Sequence, residues 1–246
     1  MKHLVYISLV FVFVGVFLNP IFSQKSSYKK KTIQNLDQFE NKLFHFGFSL
    51  GINSSDYLLD ANLGTNDSLL SIESNPTLGF NLGIVADLHL GIHFDLRFIP
   101  TLSFSQRNLD YTFKTAGNRK SSEFSKPIES TYIDFPLNLK MKSARAGNFS
   151  AYTLIGFMYS YDLTAQDKVK NDSANPDDLI VAVNRNTYSY QVGIGLDFYL
   201  QYFKFSPEFK LSMGLNNNLV QDGTMFAAPI SYLRSRIFLV SFTFEG

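Results

Sequence analysis

The chain has 246 residues, a formal net charge of +1 and no cysteine. That length suits one domain beyond any export signal. The near-balanced charge gives no electrostatic footprint for nucleic acid, and the lack of cysteine removes disulfides, thiolate metal sites and cysteine nucleophiles together. Aromatic content rests on 25 Phe and 13 Tyr with no Trp, and where those rings fall decides the fold class.

Residues 1–23 read as a secretory signal peptide. Lys2 and His3 form a short polar start, and Leu4 to Leu18 is apolar apart from Ser8 and Gly15. A run of about 15 residues is too short to span a bilayer as a helix. Asn19-Pro20 ends it, and a cleavage site follows Ser23. No cysteine follows the run, which excludes lipoprotein attachment. Residues 24–42 open with Lys25-Ser-Ser-Tyr-Lys-Lys-Lys31; they carry little periodicity and are expected to be a solvated basic tail on the periplasmic side.

Residues 43–246 then show eight stretches of period-two alternation, the mark of strands with one apolar and one polar face. The first, about 43–53, places Phe44, Phe46, Phe48, Leu50 and Ile52 on one side. The second, about 77–88, sets Phe80, Leu82 and Ile84 against Gly79, Asn81 and Asp87. The third, about 92–106, sets Phe94, Phe98 and Leu102 against Asp95 and Arg97. The fourth, about 129–142, sets Phe135, Leu137 and Leu139 against Asp134, Asn138 and Lys140. The fifth, about 149–163, is less clean: Ile155, Phe157 and Tyr159 form the better face, but Tyr152, Leu154 and Met158 lie opposite. The sixth (about 187–199), seventh (about 203–215) and eighth (about 232–245) return to clean alternation, with Ile194, Phe209 and Phe242 outward.

The connections alternate too. Short links at 89–91, 143–148 and 200–202 alternate with long polar links at about 54–76, 107–128, 164–186 and 216–231. Short periplasmic turns and long external loops mark outer-membrane barrels, where closure satisfies every backbone group away from water. The expected fold is therefore all-β: an eight-stranded antiparallel transmembrane β-barrel with both ends periplasmic, and no later run of 18 apolar residues offers a membrane helix. Pro100, Pro136 and Pro207 fall inside spans, so bulges or kinks are expected there and the exact register is open.

The inward faces carry both signs. Asp87, Asp95, Asp134, Asp162, Asp197 and Glu208 face Arg97, Lys140, Lys142, Lys204 and Lys210. Eight strands enclose only enough room for side chains, and buried charges must pair, so the lumen is expected to be plugged, with Arg97 and Asp95 as one internal pair. No catalytic, cofactor-binding or metal residue is predicted. Beyond His3, the histidines His45, His89 and His93 all fall at the turn end, so a Ser/His/acid set facing outside cannot form. The spacing of His89 and His93 crosses a turn and lacks a third ligand. The loop acids Asp56, Asp60, Asp67, Glu73, Asp172, Asp177 and Asp178 leave an acid-based rim site open.

Three segments go further. Tyr132-Ile-Asp-Phe-Pro-Leu-Asn-Leu-Lys-Met-Lys-Ser-Ala-Arg145, continued by Asn148 and Ala151 to Gly156, resembles the fourth and fifth strands of the PorT family of Bacteroidetes outer-membrane barrels. Arg97-Phe-Ile-Pro-Thr-Leu-Ser-Phe104 resembles that family's third strand, and Pro207-Glu-Phe-Lys-Leu-Ser-Met-Gly-Leu215 its seventh. The resemblance implies a non-enzymatic part in the type IX secretion system, which exports proteins and supports gliding, and it supplies no catalytic residue. The partners expected are outer-membrane lipid, other type IX components, and the barrel-assembly machinery, which would read Phe242 and Phe244 of the last strand. Glu245 is expected to protrude into the periplasm. The alternatives are a general small barrel serving membrane stabilisation or adhesion through its loops, and a lipid- or peptide-modifying enzyme with an acid-based rim site.

Overall fold

A computed structural model describes residues 34–62, 64, 67–114, 121–165 and 179–246. The signal segment 1–23, the first part of the tail, and Asp172, Asp177 and Asp178 lie outside the described residues. The predicted spans are strands, and their ladders run round a complete ring. The strands are β1 (Phe44–Ala61), β2 (Leu69–His89), β3 (Phe94–Phe98), β4 (Thr101–Lys114), β5 (Ser121–Lys142), β6 (Phe149–Asp162), β7 (Asn186–Tyr199), β8 (Lys204–Gly214) and β9 (Ile230–Glu245). β3 and β4 are two halves of one span, so the nine described strands make eight crossings. Each strand is antiparallel to its neighbours. β1 closes the ring, pairing with β2 from Phe44↔Leu88 to Ser55↔Thr77 and with β9 from Gly47↔Glu245 to Asp60↔Tyr232.

The faces fall as the alternation predicts. Phe48, Phe80, Phe98, Phe135, Phe157, Ile194, Phe209 and Phe242 are all exposed on the outside, Phe157 to 70%. Such a belt is unfavourable in water and is what lipid solvates. Along β2 it runs from Leu78 to Leu88, ten residue steps, or about 33 Å of strand and about 25 Å at a tilt of roughly 40°. That matches the apolar band of a membrane barrel. The less regular fifth span also resolves: Tyr152, Leu154 and Met158 turn inward and are buried, while Ile155 and Phe157 face out.

Two of the four long links are much shorter than predicted. β1 continues to Ala61 and β2 starts at Leu69; β4 continues to Lys114 and β5 starts at Ser121. Past the belt the alternation changes sign. On β4, Leu102 and Phe104 face out below the boundary and Ser103, Ser105 and Arg107 face in. Above it, Leu109, Tyr111 and Phe113 face in and are buried, while Gln106, Asn108 and Asp110 face out. Water, not lipid, surrounds this part, so polar residues turn outward and the apolar ones build a core. Leu109, Tyr111, Phe113, Ile128, Val181, Leu219, Phe226 and Ile230 pack together across the long-hairpin end. Val183 and Leu219 form a bridge there, tying the two remaining long links to each other.

The prolines do not introduce the expected bulges. Pro100 and Pro136 share one interruption: β3 pairs with β5 up to Phe98↔Leu137, and β4 resumes at Thr101↔Asp134 in unchanged register. Each missing N–H falls in the same gap, so one defect accommodates both. Pro207 sits opposite Phe242 without a slip, and the β7–β8 ladder merely skips from Gly195↔Glu208 to Phe198↔Phe205. Register shifts occur instead beyond or at the edge of the belt, at Asp60/Ala61, Leu69/Ser71 and Pro76/Phe80.

The tail departs from expectation as well. Residues 34–42 do not hang free: a 3-10 turn, Phe39–Asn41, buries Phe39 at the short-turn end of the ring.

The belt assignment has a direct consequence. An Arg at the bilayer midplane costs about 2–4 kcal/mol and near zero outside it. Phe157→Arg should therefore lower the stability of the barrel refolded into lipid vesicles by that amount in a urea titration. Thr112→Arg, outward on the water-surrounded part of β4, should leave it within about 0.5 kcal/mol. Equal losses would place the belt wrongly.

Candidate functional site

Inward residues of seven of the eight crossings, all but β1, meet in one polar layer built around the ion pairs of Arg97. Its guanidinium lies 2.7 Å from Asp87 on β2 and 2.7 Å from Glu245 on β9, and also binds Glu208 on β8. All four side chains are fully or almost fully buried. Lys204 forms an ion pair with the other Glu245 oxygen at 2.7 Å, and Lys210 one with Glu208 at 2.7 Å. Tyr152 donates to Glu208 at 2.7 Å, and its ring lies 3.9 Å beneath the Lys140 ammonium. Lys140 bonds both oxygens of Asp197, at 2.8 and 3.0 Å, and Ser206 donates to the same carboxylate at 2.6 Å. A Cβ on Gly195 would overlap the Tyr152 ring, so glycine there makes room for this layer.

Two pairings differ from expectation. Asp95, two positions from Arg97, does not pair with it; it bonds His89 at 2.6 Å and Lys142 at 3.2 Å nearer the turn end. Glu245 does not protrude but is 1% exposed inside the lumen. Both follow from closure: Asp87↔Arg97 is a cross-strand pair in the β2–β3 ladder, and Lys204↔Glu245 is one in the β8–β9 ladder. For these two the ladders decide the partner, although spacing along one strand serves Lys210 and Glu208, two positions apart on β8.

Below this layer the docked tail closes the short-turn end. The Phe39 ring stacks on His45 at 3.8 Å between centroids, and the Lys204 ammonium lies 4.7 Å from its centroid on another side. Glu40 accepts from Tyr199 at 2.6 Å and lies 3.4 Å from Lys142. Burial alone would raise the Glu40 carboxyl, but the Tyr199 hydroxyl and Lys142 outweigh it and hold the group below its ordinary range. Arg145 donates to the carbonyls of Asn35 and Leu36 and stacks 3.8 Å over Tyr199. Leu36, at φ 49°, is held in the left-handed region by this clamp.

Above the network, Arg107 is fully buried between the rings of Tyr57 and Tyr132, 4.8 and 5.4 Å from their centroids, and donates to Ser235 at 3.0 Å. The apolar core of the long-hairpin end lies beyond it.

The sequence candidates for chemistry scatter. His45, His89 and His93 stay at the turn end, where His45 meets the Phe39 carbonyl and His93 the Lys142 carbonyl. Asp56 accepts from Ser74 at 2.5 Å and from Arg236, which makes it a structural tie between β1, β2 and β9. Among the described residues no group of three or more His, Cys, Asp or Glu side chains is placed to hold a metal ion. The docked tail is what sequence reasoning missed; Phe39 and Glu40, just ahead of the first span, were the residues that could have signalled it.

The sequence profile of a family described as outer membrane protein beta-barrel domain matches residues 22–220. Solved structures that match the chain include Ail, the attachment invasion locus protein of Yersinia pestis, at 12% identity, covering 83% of this chain and all of that one, with a TM-score of 0.37. OprG from Pseudomonas aeruginosa is 12% identical over 82% of this chain and 94% of its own, with a TM-score of 0.39. Neisserial surface protein A is 9% identical over 80% and 95%, with a TM-score of 0.35. No curated protein matches the chain significantly. With the profile spanning most of the sequence, and a closed, lipid-belted ring of eight crossings beneath it, the chain belongs to the outer-membrane β-barrel domain family.

Proposed function

We propose that this outer-membrane barrel is a non-enzymatic component of the type IX secretion system, acting through assembly or partner contacts and not as a conduit. The resemblance of residues 97–104, 132–156 and 207–215 to PorT-family strands supports the pathway. The observation that carries the mode of action is the filled lumen: Arg97 with Asp87, Glu208 and Glu245 crosses the middle, the tail closes one end, and an apolar core closes the other. A barrel built this way acts through its surfaces. In this reading the signal is cleaved after Ser23, both ends of the mature chain are periplasmic, and β9 is the strand that the barrel-assembly machinery reads.

A second reading, adhesion or membrane stabilisation through the external face, draws support from the β1–β2 and β4–β5 hairpins. They stand beyond the belt as ordered strands on a packed core, a rigid platform for binding.

Deletion of the gene separates the two readings. The export reading expects type IX cargo to accumulate inside the cell and to return to the medium on complementation. Unchanged cargo secretion with weakened surface attachment would transfer the assignment to adhesion.

The filled lumen makes two further expectations. Purified protein in a planar bilayer should give no stable porin-like conductance; steady large channels would revive transport. Removing one member of a buried ion-pair network strands the rest, at about 3–5 kcal/mol. Arg97→Met should therefore lose roughly that much stability in a urea titration in vesicles. A loss under about 1 kcal/mol would mean that the three carboxylates are stabilised by something other than Arg97.

A further inference from the structure

The wall has a weak place where the lipid belt ends below the long hairpins. β6 stops at Asp162, but β5 runs back to Ser121, and the two pair only from Tyr132 onward. Nearby the β2–β4 ladder breaks between Pro76↔Arg107 and Phe80↔Phe104. A cleft of about 760 Å³ lies here, within the range of about 300–1,000 Å³ typical of small-molecule sites. Its lining comes from both faces of the wall. Leu78 and Phe80 belong to the lipid belt, and Leu78 is 74% exposed. Ser105, Ile128, Ser130 and Val181 face inward.

Two of those inward residues lack what burial requires. Ser105 and Ser130 are 8% and 3% exposed, opposite one another in the β4–β5 ladder, and the hydroxyl of neither has a hydrogen-bond partner. Buried hydroxyls are almost always paired, and an unpaired one destabilises the fold. Here two unpaired hydroxyls lie at the inner end of a cleft whose outer wall is continuous with lipid-solvated side chains. Lys126, whose ammonium lies 4.7 Å from the centroid of the Phe226 ring, adds positive charge to the same lining.

We infer that this cleft binds a single fatty acyl chain from the surrounding leaflet, its carboxyl oxygens accepting from the Ser105 and Ser130 hydroxyls and its tail lying against Leu78 and Phe80. The chemistry follows from the lining. An acceptor-rich head satisfies two donors that the protein leaves open, and an apolar tail needs no desolvation because it never leaves the bilayer. The site is independent of the export reading, since it concerns lipid at the wall and not a protein partner.

The test is photo-crosslinking in nanodiscs. The full barrel is reconstituted with a fatty acid carrying a diazirine close to its carboxyl, and in a parallel sample with a phospholipid carrying the diazirine at the same acyl position. Labelled peptides are mapped by mass spectrometry. Labelling of residues 125–131 and 179–183 by either probe supports acyl recognition, and the probe that does so identifies the source. Labelling confined to belt residues such as Phe157 and Ile194 with both probes overturns it and leaves the cleft to water. Ser105→Ala combined with Ser130→Ala is nearly volume-conserving, and its folding is checked by heat-modifiable migration. It should cut cleft labelling at least fivefold with belt labelling unchanged. Undiminished cleft labelling in that variant would show that the hydroxyls do not hold the head group, and would sink the inference as well.

Discussion

The lack of water in a bilayer governs both faces of this molecule. Outside, every backbone N–H and C=O in the belt must be satisfied within the sheet, and an unpaired group costs several kcal/mol. Inside, each charge removed from water must find a partner in a space too narrow for bulk solvent. Arg97 joins the two demands. It sits on β3, yet its acceptors come from β2, β8 and β9, and Glu245 is supplied by the strand that closes the ring. Ladder closure and charge neutralisation are thus the same event. Until β9 pairs with β1, the backbone has two open edges, and Arg97, on β3, lacks Glu245 of β9. This coupling favours a single closed state over open sheets or partly paired alternatives.

The same solvent argument explains which parts of the fold are legible in sequence. In the belt, period-two alternation names both the strand and its faces, so Phe48, Phe157 and Ile194 are readable as lipid-facing. Above the belt the strands continue, but water replaces lipid and the apolar face turns inward. Ser54 to Ala61 and Glu123 to Ile128 therefore look like polar loop when judged by the phase below them. A change of phase along a continuing alternation, as at Gln106 and Arg107 on β4, marks where the bilayer ends. Read that way, Leu109, Tyr111 and Phe113 announce an inner core and not an irregular link.

The site was legible in kind but not in pairing. Listing inward charges of both signs was enough to predict a plugged lumen. Assigning Arg97 to Asp95 failed although the same spacing does pair Lys210 with Glu208 on β8. Asp95 is taken by His89 and Lys142. Asp87 lies directly across the ladder from Arg97, and Glu208 and Glu245 reach it across the lumen. Those partners depend on register and on which strand closes the ring; Glu208 and Glu245 lie 111 and 148 residues from Arg97. The prolines carry a related lesson. Pro100 and Pro136 each suggest a local defect, but only the pairing shows that they occupy the same one. The docked tail was hidden because its apolar content is small, and its hold depends on Arg145 and Tyr199, more than 100 residues away.

A filled barrel leaves its function to surfaces, and the three surfaces here differ in character. The short-turn end carries the docked residues 34–42, held there by Arg145 and Tyr199. The long-hairpin end presents strands whose backbone is already ordered by an inner core, so a partner meeting them loses little entropy to loop ordering. Between them the belt keeps its register past the gaps at Pro100, Pro136 and Pro207, but at one height β6 ends before β5 and the β2–β4 register slips. A regular wall gives lipid nothing to recognise. Local recognition requires a break in the ladder together with donors that the break leaves unsatisfied, and Ser105 and Ser130 are such donors at such a break.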